Sequence, residues 1–213
     1  MTETSPVATM FYEKPELGGL NEDQWFARKA MAGVQVPLVE LRIIGEQGEC
    51  AWNNKDVGEV QVRGPYITGS YHDVERDPEK FTDDGWLRTG DVAAIDEYGY
   101  VRLSDRTKDL IKSGGEWISS VDLENAIMAH PAVAEAAVIA VAHPKWDERP
   151  LACVVCKSGQ AVTAAELKVF LSTKFAKWQL PDAVEFIDAI PRTSTGKFFK
   201  SKLRDRYANW KWD

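Results

Sequence analysis

The chain has 213 residues, of which 44% are hydrophobic, so length and composition allow one or two globular domains with their own cores. Its formal net charge of −7 argues against a general nucleic-acid-binding protein, because neutralising phosphates requires clustered positive charge. No apolar run approaches the roughly 20 residues that cross a bilayer, and no signal peptide opens the chain. We therefore expect a cytoplasmic protein without a transmembrane segment, and peripheral attachment to a membrane stays open.

The first part of the chain, up to about residue 104, contains short runs in which apolar and polar side chains alternate. Residues 37–44 and 58–65 alternate over several positions, and residues 98–103 follow an Asp-Glu turn as a hairpin strand. A period of two residues is typical of strands with one buried face, and glycines separate the runs. This pattern predicts a small, distorted β-barrel or a curled sheet rather than a parallel α/β core.

The second part, from residue 111 to 213, mixes helix and strand patterns. Ser119, followed by Asp122, predicts the N-cap of a helix at 120–129. Thr163 and Glu166 form a capping box before apolar residues at helical spacing. Two apolar strands, at 133–141 and 183–187, and a short helix from Lys200 complete a predicted α+β domain.

The three cysteines are an odd number without secretory context, which argues against a disulfide framework. Cys153 and Cys156 form a CxxC, but they lie in the apolar run 151–156. In a buried strand, cysteine behaves as a small hydrophobic residue. We therefore interpret both as core residues. A redox or metal site is the alternative, and the sequence offers no second Cys pair or His cluster to complete it.

The sequence Pro-Arg-Thr-Ser-Thr-Gly-Lys at 191–197 is the strongest candidate for chemistry. A glycine beside a lysine, after hydroxyl residues, makes a flexible loop that can carry one ammonium group into another domain's site. The segment is not a phosphate-binding P-loop, because the first glycine and the strand–loop–helix unit are missing. The alternative interpretation is a solvated turn before the last helix.

Two further segments carry candidate binding residues. Asp91 follows Thr89 and Gly90, and a carboxylate at such a turn can accept hydrogen bonds from both hydroxyls of a ribose; an ordinary turn aspartate is the alternative. Residues 104–119 run from a charged linker into a strand and a double-glycine turn. Here the alternative is a solvated charge run with a hairpin turn.

Taken in order, these segments resemble the motifs of the acyl-activating superfamily of adenylate-forming enzymes. The matching residues are 63–65 (Arg-Gly-Pro), 89–91 (Thr-Gly-Asp), 105–109 (Asp-Arg-Thr-Lys-Asp) and 195–197 (Thr-Gly-Lys). Residues 112–124 and 175–182 are similar to medium- and long-chain fatty acyl-CoA synthetases. The resemblance implies that residues 1–104 end the large domain as a β-barrel-like subdomain, that 105–110 form a hinge, and that 111–213 form a mobile α+β lid.

Enzymes of this superfamily join a carboxylate to ATP and then transfer the acyl group, releasing AMP. The resemblance implies a fatty acid–CoA ligase that uses fatty acid, ATP, Mg²⁺ and coenzyme A. Met1-Thr2-Glu3 resembles the end of the family's Tyr-Gly-x-Thr-Glu motif. The phosphate loop, the acyl tunnel and most of the adenine pocket lie before this motif in the family. We therefore expect a carboxyl-terminal fragment that is inactive without the missing amino-terminal part of the enzyme.

The resemblance also assigns individual residues. Lys197 matches the catalytic lysine that stabilises charge during adenylation, and Lys108 matches the hinge residue. Gly114 and Gly115 match a CoA-binding surface, where a pantetheine arm slides past backbone that has no side chains. Nucleotide contacts are implied for Thr2, Asp91, Arg106, Lys108, Lys112 and Trp117, and a magnesium contact is implied for Glu3.

Two other functions are compatible with the motifs. An adenylating relative can hand its acyl group to the phosphopantetheine of a carrier protein. A lid domain can also serve as a non-catalytic interaction module. The Gly-Gly-Glu-Trp segment at 114–117 favours CoA over a carrier protein.

Overall fold

The computed structural model describes residues 1–212. The chain forms two compact units, Met1–Thr107 and Lys108–Asp213. Each unit has its own hydrophobic core, so each is described by itself.

The elements of the first unit, in chain order, are β1 (Thr9–Met10), α1 (Glu22–Lys29), β2 (Val34–Gln35), β3 (Glu40–Gly45), β4 (Gly48–Glu49), β5 (Gly58–Arg63), β6 (Leu87–Ile95) and β7 (Val101–Arg106). Five of these strands form one antiparallel sheet in the order β4-β3-β5-β6-β7, and β1 pairs with β2 separately. Apolar residues of the sheet, including Ile43, Val60 and Val101, form the core of the unit.

Of the predicted β-barrel or curled sheet, the barrel is not confirmed, because the five-stranded sheet is open. Its strand order begins at β4 and ends at β7, and these two strands do not pair with each other in the described part of the chain. Alternation correctly placed strands near 37–44, 58–65 and 98–103. It does not decide closure, since closing a barrel depends on tilt and stagger around the whole sheet.

The elements of the second unit are β8 (Ile111–Ser113), β9 (Glu116–Ile118), α2 (Ser120–Met128), β10 (Val133–His143), β11 (Asp147–Cys156), α3 (Ala164–Leu171), β12 (Ala183–Phe186) and α4 (Lys200–Arg206). β10 and β11 form a long antiparallel hairpin. β11 also pairs in parallel with β12, and Asp147 at its start pairs with Ser113 at the end of β8.

Helices cover both faces of this second sheet. Along β10, Ala136 and Val138 belong to a core shared with α2 and α3. Ala137 and Ile139 point to the other face, where Leu203 of α4 completes a separate core. The two cores follow from the period-two alternation of side chains along a strand. The predicted α+β architecture is confirmed.

The predicted helix starts in this unit are confirmed. Ser119 Oγ accepts a hydrogen bond from Asp122 N at 3.1 Å, and α2 runs Ser120–Met128 against a predicted 120–129. Thr163 Oγ1 accepts from Glu166 N at 3.2 Å, while Glu166 Oε2 accepts from Thr163 N at 2.8 Å. This reciprocal pair satisfies backbone donors that the first turn of α3 leaves unpaired.

The two cysteines of the CxxC lie on opposite faces of β11. Cys153 belongs to the core under α4, whereas Cys156 packs against the core under α2 and α3. Residues three apart on a strand point in opposite directions, so the two thiols do not converge. Burial raises the pKa of the Cys153 thiol to about 12, which keeps it neutral and unreactive.

Candidate nucleotide and coenzyme site

Lys197 lies on a short hairpin, residues 192–198, which we call the Lys197 hairpin. Arg192 and Phe198 form an antiparallel bridge at its base. Within it, Thr193 N donates to Lys197 O at 2.8 Å, and Lys197 N donates to Thr193 Oγ1 at 3.2 Å. Gly196 has φ +83°, a backbone angle that residues with a side chain rarely adopt, so glycine makes this turn possible.

The side chain of Lys197 is exposed. Across residues 1–212, its ammonium group forms no hydrogen bond or ion pair, although the backbone beneath it is ordered by the hairpin. An unpaired cation on an ordered backbone is available to an incoming anionic ligand. The structure therefore places the strongest sequence candidate on a surface turn, in the second unit.

Asp91 and Arg106 are directly opposite each other on β6 and β7. Arg106 Nε lies 3.2 Å from Asp91 Oδ1, and the arginine side chain is 60% exposed. The turn before Asp91 is fixed by Thr89, whose Oγ1 donates to Val60 O at 2.8 Å and accepts from Asp91 N at 3.1 Å. Burial raises the pKa of Asp91, and the neighbouring Arg106 cation only partly opposes it. Hydrogen bonds donated by the hydroxyl groups of a ligand would stabilise the charged form of such a partly dehydrated carboxylate.

A cavity of about 240 Å³ lies beside Asp91. Its walls are mainly apolar side chains of the sheet and of the first residues of the chain, and its polar groups are Thr4, Thr9, Thr89 and Asp91. Met1 also lines it, so the residues on either side of Thr2 and Glu3 meet the Asp91 cavity.

Thr2 and Glu3 lie in a 3-10 helix, Thr2–Thr4. Glu3 O accepts from Thr68 N at 2.9 Å, and Tyr71 Oη donates to Glu3 Oε1 at 3.0 Å. A hydrogen bond from its own backbone N–H lowers the pKa of the Glu3 carboxyl, and the Tyr71 hydroxyl adds to this. Within residues 1–212, no group of three or more His, Cys, Asp or Glu side chains is arranged to hold a metal ion.

Lys112 and Trp117 face each other across the hairpin of β8 and β9. The ammonium of Lys112 lies 5.2 Å from the centroid of the Trp117 ring, and Trp117 is 41% exposed. The turn between the strands is made by Gly114 and Gly115, with φ +60° and +89°. Gly114 N donates to Trp146 O at 2.8 Å, which ties the turn to the loop before β11.

A second cavity, of about 750 Å³, opens beside this glycine turn. Gly114 lines it, whereas Gly115, Lys112 and Trp117 are outside its lining. The other lining residues are two half-exposed tryptophans, several charged side chains and a serine: Ser113, Glu116, Trp146, Arg149, Lys177, Trp178 and Asp182.

Arg149 holds several residues of one cavity wall together through hydrogen bonds, and no sequence motif pointed to it. Its guanidinium is buried and is held by Asp182 through two bonds, of 2.7 and 2.8 Å. It also donates to Ser113 Oγ at 2.8 Å and to the carbonyls of Trp178 and Leu180. The sequence gives little signal for this role, because Arg149 follows the charged residues Asp147 and Glu148 at the start of β11 and only its burial shows that it needs partners.

Lys108 is an exposed turn residue between two anchored neighbours. In the first unit, Thr107 N donates to Gly90 O at 2.9 Å. In the second unit, Arg204 Nη1 donates to Asp109 Oδ1 at 2.6 Å, and both side chains are mostly buried. The boundary between the units falls between Thr107 and Lys108.

Several known proteins are similar to this chain. Residues 122–197 match the AMP-binding enzyme C-terminal domain. A long-chain-fatty-acid–CoA ligase of Thermus thermophilus is 54% identical over 213 residues, covering 99% of this chain and 39% of that protein. A 3-methylmercaptopropionyl-CoA ligase of Ruegeria pomeroyi is 44% identical, covering 97% of this chain and 38% of that protein. The structure of Bacillus subtilis o-succinylbenzoate CoA synthetase with its acyl-adenylate intermediate gives a TM-score of 0.81 at 32% identity, covering 96% of this chain and 40% of that one.

The matched region contains most of α2, the strands β10, β11 and β12, and nearly all of the Lys197 hairpin, so the similarity to the C-terminal domain of AMP-binding enzymes lies in the second unit. Along almost its whole length, the chain is also similar to long- and medium-chain fatty-acid–CoA ligases. It spans about 39% of the length of the Thermus ligase. Among the described residues, no helix has the length and apolar character needed to cross a membrane.

Proposed function

We propose that this chain is the lid-bearing, carboxyl-terminal part of an ATP-dependent fatty acid–CoA ligase. In the first half-reaction, a carboxylate oxygen attacks the α-phosphorus of ATP, forming acyl-AMP and releasing pyrophosphate. In the second, the CoA thiol attacks the acyl carbon, forming acyl-CoA and releasing AMP. The observation that carries the proposal is the exposed, unpaired ammonium of Lys197 on an ordered hairpin within the matched domain.

Adenylation concentrates negative charge on the α-phosphate and the attacking carboxylate. A preorganised cation at this position stabilises the transition state more than the ground state, and Lys197 supplies it. Asp91 accepts hydrogen bonds from the ribose hydroxyls, which replace water lost through its burial. Arg106 holds that carboxylate in place and, with Lys112 and Trp117, contributes nucleotide contacts.

Residues Thr2 and Glu3 fit the phosphate and magnesium roles of this reaction. Mg²⁺ in nucleotide enzymes is held by one or two carboxylates together with substrate phosphates, so a single protein carboxylate suffices. Glu3 is kept ionised by its own backbone N–H and is oriented by Tyr71. When bound, the metal would neutralise phosphate charge, while Thr2 offers a hydroxyl to the same phosphates.

CoA is the acyl acceptor that the 750 Å³ cavity favours over a carrier protein. Gly114 lines its edge, and Gly115, the next residue of the turn, leaves open space where a side chain would be, past which a narrow pantetheine arm can run. The rings of Trp146 and Trp178 offer stacking surfaces for an adenine, and the charged head of Lys177 suits a phosphate. The nucleotide end of CoA supplies both groups.

The change between half-reactions is assigned to rotation at Lys108. Thr107 is hydrogen-bonded into the first unit, and Asp109 is ion-paired into the second. The φ and ψ torsions of Lys108 are therefore less restrained than those of its two anchored neighbours. A hinge concentrates its backbone rotation at such a residue.

The proposal is tested by replacing the corresponding region of the Thermus thermophilus ligase with this chain, since the two are 54% identical over 99% of this chain. Pyrophosphate release with fatty acid and ATP reports adenylation, and acyl-CoA formation from preformed acyl-AMP reports the second step. Lys197→Ala should slow adenylation by about 10²–10³-fold, as for loss of one oxyanion-hole donor, while changing the second step by less than about threefold. Lys174→Ala removes an equally exposed lysine and is the matched control.

Two outcomes contradict the proposal. One is equal loss of both half-reactions in the Lys197→Ala chimera, which indicates a structural defect. The other is full adenylation without Lys197. Trials with acids of different lengths then define the acyl specificity. The chain by itself should form no acyl-CoA, and addition of the amino-terminal part of the enzyme should be required for activity.

A further inference from the structure

Glu135 reaches the Lys197 hairpin because of a bulge in β10. The pairing of β10 with β11 shifts between Val133 and Glu135, which makes Ala134 the extra residue. In a regular strand Glu135 would share a face with Val133, which belongs to the core of α2 and α3. The bulge turns it instead to the face of Ala137, where Phe198 of the hairpin packs.

Arg192 uses both ends of one guanidinium to join this glutamate to the hairpin tip. Its Nη2 lies 2.5 Å from Glu135 Oε1, and its Nη1 donates to Gly196 O at 2.6 Å. Its Cζ also lies 4.7 Å from the centroid of the Phe198 ring. The Gly196 carbonyl that accepts this bond belongs to the peptide bond between Gly196 and Lys197. The hydrogen bond from Arg192 therefore restrains the backbone that carries the Lys197 ammonium.

We infer that Arg192 and Glu135 are positioning residues that set the location of the Lys197 ammonium for adenylation, an inference that rests on the proposed function. Glu135 fixes the guanidinium to the central hairpin of the lid, and the guanidinium fixes the peptide before Lys197. The ion pair satisfies the charge of Arg192, which leaves Lys197 as the unpaired cation of the hairpin. Neither Arg192 nor Glu135 touches substrate in this arrangement.

The test uses the chimera described above with Arg192→Ala, Arg192→Lys and Glu135→Gln, and with Arg206→Ala as an exposed arginine control. Displacement of a catalytic group by about 1 Å costs on the order of 10²-fold, so Arg192→Ala should lower kcat for adenylation by about 10–100-fold and change KM for ATP by less than about twofold. Arg192→Lys keeps one of the two contacts and should lie between wild type and Arg192→Ala. Glu135→Gln keeps an acceptor and should have a smaller effect.

A second measurement separates positioning from general destabilisation. In the Lys197→Ala background, Arg192→Ala should cause no further loss of adenylation, because its target is already absent. Arg192→Ala alone should form acyl-CoA from acyl-AMP at the wild-type rate. In the chain itself, amide exchange at Gly196 and Lys197 should become about tenfold faster in Arg192→Ala, while exchange in β10 and β11 is unchanged.

The outcomes distinguish this inference from the proposed function. Wild-type adenylation by Arg192→Ala, with Lys197→Ala inactive, overturns the positioning role and leaves the proposed function standing. Equal loss of both half-reactions, or an added loss in the Lys197→Ala background, assigns Arg192 a structural role and also overturns it. Wild-type adenylation by Lys197→Ala overturns the proposed function itself.

Discussion

Alanine substitutions at the glycine turn test whether Trp146 limits the space at the edge of the large cavity. Gly114 and Gly115 both have positive φ, but their surroundings differ. A Cβ on Gly114 would lie 2.9 Å from Trp146 Cε3 and 3.3 Å from Cζ3. A Cβ on Gly115 would meet no atom within 4 Å. Only the first substitution forces a neighbouring ring to move.

The energies follow from these distances. Placing an L-residue in left-handed backbone costs about 1–2 kcal/mol, and both substitutions carry that cost. Trp146 is 43% exposed, so its ring can rotate away from a new methyl group by adopting an unfavourable rotamer. Such a rotamer costs about 0.5–1.5 kcal/mol. Gly114→Ala should therefore couple to Trp146 by about that amount, whereas Gly115→Ala should show no coupling.

A double-mutant cycle measures the coupling. Each glycine is changed to alanine with Trp146 present and with Trp146→Ala, and native-state hydrogen exchange of the β10 and β11 amides gives the opening free energy of the second unit. In the Trp146→Ala background, Gly114→Ala should retain only its backbone cost. A coupling below about 0.3 kcal/mol for Gly114 would refute contact with the ring, and an equal coupling for Gly115 would refute the contrast.

Two further predictions concern carboxylates whose pKa is shifted. Burial raises the pKa of Asp91, so its contribution to stability is present below the unfolded pKa and is lost as pH rises through the folded value. Asp91→Asn should leave the first unit at least as stable as wild type at neutral pH by urea unfolding, yet weaken binding of a fluorescent ATP analogue to the chimera; marked destabilisation would contradict this. Hydrogen bonds from Arg149 lower the pKa of Asp182, so the stability they give is present above the unfolded pKa and lost as pH falls through the folded value. Asp182→Asn should lower the free energy of unfolding of the second unit by about 1–2 kcal/mol at neutral pH, a figure that allows for the 38% exposure of Asp182. The variant should also lose less stability than wild type as the pH is lowered, because the group that titrates is gone.

Local sequence patterns predicted several of the elements, but not α1 or β6, and not whether the first sheet closes into a barrel. Alternation at 58–65 identified β5, and the Thr163 capping box identified the start of α3, because both signals lie within a few neighbouring residues. The barrel is not confirmed because β4 and β7, which would have to pair to close it, lie on opposite edges of the sheet. Alternation reports which face of a strand is buried, not which strand lies beside it.

The candidate site shows the same limit. Motif order singled out Lys197, Asp91 and the glycine turn as candidates, since each motif is contiguous. Arg149 and its partner Asp182 are 33 positions apart in the sequence, and Arg192 and Glu135 are 57 apart. Such pairs carry no local signal. The bulge at Ala134, which aims Glu135, is visible only once β10 is paired with β11.

The pairing of Arg192 and the freedom of Lys197 have a common physical explanation. In the proposed adenylation, a resting ion pair on Lys197 would have to break first, which would add its free energy to the barrier. A disordered loop would leave the ammonium free, but ordering each of its residues costs about 1–2 kcal/mol at the moment of reaction. The hairpin would avoid both costs, because Arg192 is ion-paired with Glu135 and donates a hydrogen bond that orders the Gly196 peptide. Under the proposed function, only the side-chain torsions of Lys197 would then remain to be fixed when a nucleotide binds.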